Sequence, residues 1–379
     1  MKKTLIALTL AALPVASMAE VTLFGTIKGG VEFTKVKGVS NTITNANDWD
    51  SSIGFKGEED LGNGLKAIWQ LQSKAGINAD NARNDRSNTL TSFIGLDAGA
   101  FGKVRAGNLP NAIKDMEDLN LDGSGHGVRD LGNWEIGGRH TAVRYDTANI
   151  AGFSANVLYS PEDNTRYEQL GSPSVHGFEQ DAGVGENIPA VVNDLTRNRW
   201  ITSVGLNYGI AGFFVKYGYW HQNDRIGAYN ANVHRIMGGY DANNLFVGLG
   251  YQWTRGLQVG VDSNGNEGKL TTNEIALSAA YRIGNVVPRV SYVHGFKQKL
   301  AGEKLAHSKY DQVVLGADYH LSKRTTVIAS LGWAKEGANA YLGGGMIGPV
   351  YNYDENGNRV DQRTKEQAYS FGLGLSHKF

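Results

Sequence analysis

Apolar and polar positions alternate along most of this chain. Between Val21 and Phe33, the residues Val21, Leu23, Ile27, Val31 and Phe33 share one phase, and Thr22, Thr26, Lys28 and Glu32 share the other. Between Leu65 and Lys74, the residues Leu65, Ala67, Trp69 and Leu71 alternate with Lys66, Ile68, Gln70, Gln72 and Lys74. A period of two with charges in one phase predicts strands that have one greasy face and one wet face.

About sixteen such segments recur, each roughly 8–14 residues long, as the strands of a membrane barrel would be. They lie near 21–33, 49–58, 65–76, 87–97, 101–109, 140–147, 151–161, 198–209, 212–222, 232–241, 244–255, 270–282, 285–297, 308–320, 324–336 and 367–379. Tight turns at Glu59–Gly64, Ala98–Ala100, Ala148–Asn149, Gly209–Ala211, Asp241–Asn243, Ile283–Gly284 and Leu321–Lys323 alternate with long polar loops, among them Thr34–Asp48, Pro110–Arg139, Glu162–Arg197 and Glu336–Glu366. An even strand count with short turns at one end and long loops at the other predicts an all-β fold, an antiparallel transmembrane β-barrel. The last strand carries Tyr369, Phe371, Leu373 and Leu375 in one phase and ends on Phe379. A sheet in lipid cannot leave an edge unpaired, so this strand is expected to seal against the first.

Composition fits. Gly (50 residues) and aromatics are abundant, which suits strands and turns, and there is no Cys and hence no disulfide or thiolate chemistry. The net charge of +0 leaves no footprint for nucleic acid. The beginning, "MKKTLIALTLAALPVASMA", has two lysines, a short apolar run and small residues at Ser17 and Ala19, so residues 1–19 are expected to be a cleaved signal peptide. Without Lys2 and Lys3 the balance is 37 − 2 = 35 basic against 37 acidic, or −2. Residues 20–379 then form one barrel domain, exported to an outer membrane.

A barrel of about sixteen strands leaves a wide lumen that needs narrowing. The 110–139 loop, with an acidic first half (Asp115, Glu117, Asp118, Asp122), is the candidate constriction. The inward phase holds Lys28, Lys56, Lys66, Lys74, Lys103, Arg105 and Arg144. Acid on the loop facing base on the wall would set a transverse field across the lumen, and the larger basic set points to anion preference. "GSGHG" at 123–127 puts Ser124 near His126, but no strand–turn–helix frame or orienting carboxylate surrounds it, so it reads as a flexible loop tip. The His residues lack metal-ligand spacing, and no metal or other cofactor is expected.

Specific stretches resemble a known family. They are Val21–Lys28 ("VTLFGTIK"), Ile53–Gly57 ("IGFKG"), Glu59–Gln70 ("EDLGNGLKAIWQ"), Ser92–Leu96 ("SFIGL"), Phe101–Arg105 ("FGKVR"), Val143–Asp146 ("VRYD") and Leu375–Phe379 ("LSHKF"). The chain resembles the general porins of the neisserial, β-proteobacterial type from end to end. The resemblance implies a 16-stranded homotrimeric channel for ions and small hydrophilic solutes, surrounded by outer-membrane lipid, with the third long loop in the lumen. By the same resemblance Lys74, Lys114 and Arg139 would be eyelet cations, and Phe379 a signal read by the barrel assembly machinery. One departure is Leu90, where the family usually carries a basic residue. Alternatives from other classes are an adhesin barrel whose loops bind surfaces and an outer-membrane hydrolase on a smaller barrel.

Overall fold

The structure, a computed structural model, describes residues 21–38, 40–77, 89–121, 134, 136–161, 200–226, 229–261, 267–337, 340, 352–353, 359–360 and 366–379. Sixteen antiparallel strands form the wall. They are β1 (Thr22–Val36), β2 (Ser52–Gly62), β3 (Leu65–Lys74), β4 (Ser92–Asp97), β5 (Lys103–Pro110), β6 (Arg139–Asp146), β7 (Phe153–Ser160) and β8 (Ile201–Ile210). They continue as β9 (Phe213–Ile226), β10 (Tyr229–Ala242), β11 (Leu245–Val261), β12 (Glu267–Tyr281), β13 (Val286–Gly295), β14 (Tyr310–His320), β15 (Thr325–Glu336) and β16 (Glu366–Lys378).

The wall is closed. β16 lies between β15 and β1, and its register with β1 runs from Thr26↔Lys378 to Val36↔Ala368. Phe379 does not fray: its N–H donates to Gly25 O and its C=O accepts from Gly25 N, both at 3.1 Å. The seam is thereby paired from Gly25 to Val36, as a bilayer demands. Gly25 is required there because a Cβ would run into the Phe379 ring.

The alternation has the expected orientation. Leu23, Ile27, Phe55, Leu71, Ile94, Leu249, Leu331 and Leu373 are all exposed on the outer surface, while the other phase faces the lumen. Along β9–β14 the outward phase changes in order from one rim to the other. Phe213, Tyr240, Tyr281 and Tyr319 stand next to the short turns, and aliphatic residues such as Val215, Leu249 and Leu277 follow. Tyr251, Trp253 and Tyr292 come next, then His, Asn and charged residues. Two aromatic girdles around an apolar band match the profile of an outer membrane.

The strand boundaries differ from expectation on the side of the long loops. The predicted Thr34–Asp48 loop is largely strand: β1 continues to Val36, and a separate strand, Ile43–Asp48, pairs with Gly29–Thr34. Likewise β9, β10 and β11 extend to Ile226, from Tyr229 and to Val261. Ile43–Asp48 runs beside Val31 and Phe33 of β1 but sets only Ala46 and Thr44 against them, so it carries no aliphatic stripe. Between Asp48 and Ser52 the chain bulges, with Asp50 at φ 73 and the fully buried Trp49 turned inward over Gly30 and Gly374. The predicted 87–97 strand is shorter, beginning at Ser92. Residues 1–20 lie outside the described residues, as do most of the 162–197 and 337–365 loops.

Candidate functional site: a loop inside the barrel

After β5 the chain leaves the wall at Pro110 and lies inside the barrel. Ala112 N–H donates to Ser203 Oγ of β8 at 2.7 Å. Ser278 Oγ of β12 donates to Leu119 O at 2.5 Å, and Ser291 Oγ of β13 reaches the same carbonyl at 3.1 Å. Ile113, Met116, Leu119 and Trp134 are buried against the wall. The wall beneath them is made of small residues. A Cβ at Gly218 would lie 2.7 Å from Met116 Sδ, one at Gly248 2.5 Å from Leu119 Cδ2, and one at Gly250 2.5 Å from Trp134 Cη2. These glycines admit the loop, and the loop fills the space that larger wall residues would occupy.

Arg235 of β10 is the central fastening, and the sequence reading missed it. It is fully buried. Its Nη1 donates to Ile113 O and Met116 O at 3.0 Å each, its Nη2 donates to Trp134 O, and its Nε donates to Gln252 Oε1 at 2.9 Å. Gln252 in turn donates to Glu274 Oε2 at 2.6 Å. The guanidinium also stacks 4.3 Å from the Trp134 ring centroid. One side chain thus satisfies three loop carbonyls that would otherwise be buried and unbonded. The one sequence signal was an Arg in the inward phase between the apolar Val233 and Met237.

A second fastening comes from the predicted residues. Arg105 and Arg144 are register partners on β5 and β6. Arg105 Nη2 bonds Asp146 Oδ2 at 2.6 Å, and Arg144 Nη2 bonds Asp146 Oδ1 at 2.7 Å. Arg144 Nη1 reaches Asp115 Oδ2 of the loop at 2.6 Å and Pro110 O at 2.7 Å. Burial lifts the Asp115 carboxyl above the usual range, against the pull of Arg144. Glu117 pairs with Lys114 within the loop, and Asp118 pairs with Lys216 of β9 at 2.9 Å. Asp122 lies outside the described residues.

The other basic residues are spread over the facing wall. Lys28 stands on β1 in the inward phase, with its N–H bonded to Ser51 Oγ at 2.9 Å. Lys56 Nζ lies 5.6 Å from the Phe24 ring centroid, and Lys74 Nζ is 3.2 Å from Asp50. Lys66 pairs with Glu58 at 2.6 Å, and Lys103 is the register partner of Asp97 and Asp146, so both stand among acids at the short-turn end. Arg139 departs from the expectation. It falls in the phase of Val143 and Tyr145, which face outward, and its Nε donates to Thr91 Oγ1 at 2.9 Å. Leu90, the departure from the family pattern, is buried. Among the described residues no three His, Cys, Asp or Glu side chains gather as a metal site.

A closed sixteen-stranded antiparallel barrel, apolar outside and polar within, defines an outer-membrane porin channel. The chain belongs to the Gram-negative porins, whose family model matches residues 26–348. It is 40% identical over 369 residues to the major outer membrane protein P.IB of Neisseria sicca, covering 89% of this chain and 95% of that one. It is also 40% identical over 395 residues to the P.IB protein of Neisseria meningitidis serogroup B, strain H44/76, covering 100% of both. Among solved structures, the anion-selective porin from Comamonas acidovorans superposes with a TM-score of 0.67 at 22% identity, covering 95% of this chain and 100% of that one. OmpF of Salmonella typhi, in complex with daunomycin, gives 0.60 at 18%, covering 95% and 98%. The protein is therefore a neisserial-type porin of the Gram-negative outer membrane, a channel rather than an enzyme.

Proposed function

We propose that this porin passes ions and small hydrophilic solutes by passive diffusion with a preference for anions, through an eyelet between the 110–139 loop and the wall of β1–β5. The observation that carries the reading is the way charges are used on the two sides. Loop acids Asp115, Glu117 and Asp118 are each spent on a cation close by, Arg144, Lys114 and Lys216. Lys56 instead lies over a ring, and Lys74 meets Asp50 in a half-exposed pair. Exposed pairs hold weakly, so Lys56 and Lys74 supply the field that an entering solute meets. "Anion-selective" describes the Comamonas porin; here the reading rests on this chain's own charges. Recording the zero-current potential of single channels under a salt gradient tests it, and a cation-selective value overturns it.

We further infer a homotrimer, with strand closure signalled to the assembly machinery by Phe379. A trimer form is recorded for the OmpT of Vibrio cholerae, which shares this fold at a TM-score of 0.60. The aliphatic outer face of β16 and β1–β5 would serve a partner barrel as well as lipid. Light scattering in mild detergent tests the assembly, and a monomer would sink it.

A further inference from the structure

Phenylalanine is out of place on the wet face of a wide channel, yet β9 and β11 each put one there near the short turns. Phe214 shares the inward phase of Lys216 and Gly218, and Phe246 shares that of Gly248 and Gly250. The two rings lie 6.2 Å apart, centroid to centroid, with their planes 14° from parallel. Gly239 of β10 stands between the two strands, and a Cβ there would be 2.8 Å from Phe214 Cζ. The missing side chain lets the Phe214 ring lean across β10 toward Phe246. Both rings pack against the cluster that holds Met116, Leu119 and Trp134, so the loop accounts for part of their surface. The rest stays partly exposed and lines a cleft.

The cleft has a volume of about 430 Å³ and is bounded by Asp118 of the loop, Lys216, Asp241 and the 209–213 turn. That volume falls in the range of small-molecule clefts, about 300–1,000 Å³. Three charges line it, and two of them cancel. Lys216 Nζ donates to both carboxylate oxygens of Asp118 at 2.9 Å each, and it stands 5.7 Å from the Phe214 ring centroid. Asp241 is the third. It is the register partner of Phe246 and continues the inward phase of Arg235 and Met237, so its side chain starts beside the Phe246 ring. It is exposed, and among the described residues its carboxylate has neither an ion-pair nor a hydrogen-bond partner. Two acids against one base leave the cleft with one negative charge, and that charge sits on Asp241 at the edge of an aromatic floor.

We propose that this cleft is a binding site for a small aromatic ammonium ion, with its ring against Phe214 and Phe246 and its charged nitrogen at Asp241. The free carboxylate sets the sign of the ligand, because the one cation in the cleft is already held by Asp118. The ring pair sets its shape, since aromatic faces reward a second ring and attract a cation as well. An aromatic anion would have to take Lys216 from Asp118, and an alkyl ammonium would leave the aromatic floor in water. The cleft lies between the inserted loop and the short turns, so a solute that has passed the loop meets it before leaving the lumen.

The test uses the full-length porin as single channels in a planar bilayer at neutral pH and about 0.1 M salt, where screening is modest. Three probes are added to both chambers in turn: 2-phenylethylamine, n-butylamine and 3-phenylpropionate. The reading is the concentration that produces half of the maximal fall in conductance. For wild type that concentration should be at least about fivefold lower for 2-phenylethylamine than for either other probe, as one ring contact and one charge contact imply. Asp241→Asn should raise it at least about threefold, and Asp241→Glu should keep most of the response. Phe246→Leu should remove the advantage of 2-phenylethylamine over butylamine while leaving that of butylamine over 3-phenylpropionate. Unchanged conductance without probe certifies the barrel of each variant. No fall in conductance, equal action of the two amines on wild type, or a wild-type response in both Asp241→Asn and Phe246→Leu overturns the site. Stronger action of 3-phenylpropionate overturns the assignment of a cationic ligand.

Discussion

Arg105 and Arg144 face each other across two neighbouring strands and share one carboxylate, that of Asp146. Their charges would otherwise repel in a largely buried corner of the wall. Asp146→Asn should therefore destabilise the barrel by about 3 kcal/mol, the cost of uncovering a buried charge. Thermal unfolding in detergent measures this, and Arg105→Gln in the same background should restore part of the loss.

The loop fastening makes a second prediction. Replacing Arg235 by Met keeps the volume but strips three loop carbonyls of their donor. Unbonded buried carbonyls cost about 1–3 kcal/mol each. The strands do not depend on this side chain, so the barrel should still assemble while the loop leaves the wall. Single-channel conductance should change and open-channel noise should rise, and an unaltered, quiet channel would refute the role given to Arg235.

Overpacking should displace the same loop from the other side. In Gly250→Leu the new side chain starts 2.5 Å from Trp134 Cη2, a position that the ring must yield. The expected penalty is about 1–3 kcal/mol, with Trp134 fluorescence shifted to the red as the indole meets water. Leu at Gly62, where a Cβ meets nothing within 4 Å, serves as the control for a general effect of a glycine lost, though its φ of 86 adds its own strain.

The barrel was legible because its signal repeats: each strand declares its phase, and closure by β16 follows from what lipid forbids. Ile43–Asp48 was read as loop because it sets Thr44 and Ala46 beside Phe33 and Val31, and without an aliphatic stripe a strand is silent in sequence. The candidate site was legible only in part. Parity placed Lys28, Lys56, Arg105 and Arg144 in the inward phase, yet parity says nothing about what an inward residue meets. Arg235 and Lys216 were passed over because their partners, Trp134 and Asp118, are about 100 residues away in sequence. Arg139, expected from family alignment, sits at a loop–strand junction in the outward phase.

Acid should act through Asp115. Its carboxyl is raised by burial, so the fold favours the protonated form. Stability from this group is fully present below the ordinary carboxylate range and is lost as pH rises through the raised value. As pH falls from neutral, Asp115 therefore neutralises before ordinary carboxylates and leaves Arg144 with one acidic partner fewer. Anion preference should strengthen over that window. Asp115→Asn should show the stronger preference already at neutral pH and a flat response through the window.

On this reading the barrel is an open channel whose ion preference is set by the basic wall facing the loop. The most direct measurement is the zero-current potential of single channels in a planar bilayer under a salt gradient, for wild type and for Lys56→Glu/Lys74→Glu. The wild type should conduct with an anion-selective potential. The double reversal should move it toward cations, and the difference should shrink as ionic strength rises from about 0.1 M to 1 M and the Debye length falls from about 10 Å to 3 Å. Absence of conductance, or a potential that the double reversal leaves unchanged at low salt, would contradict the account.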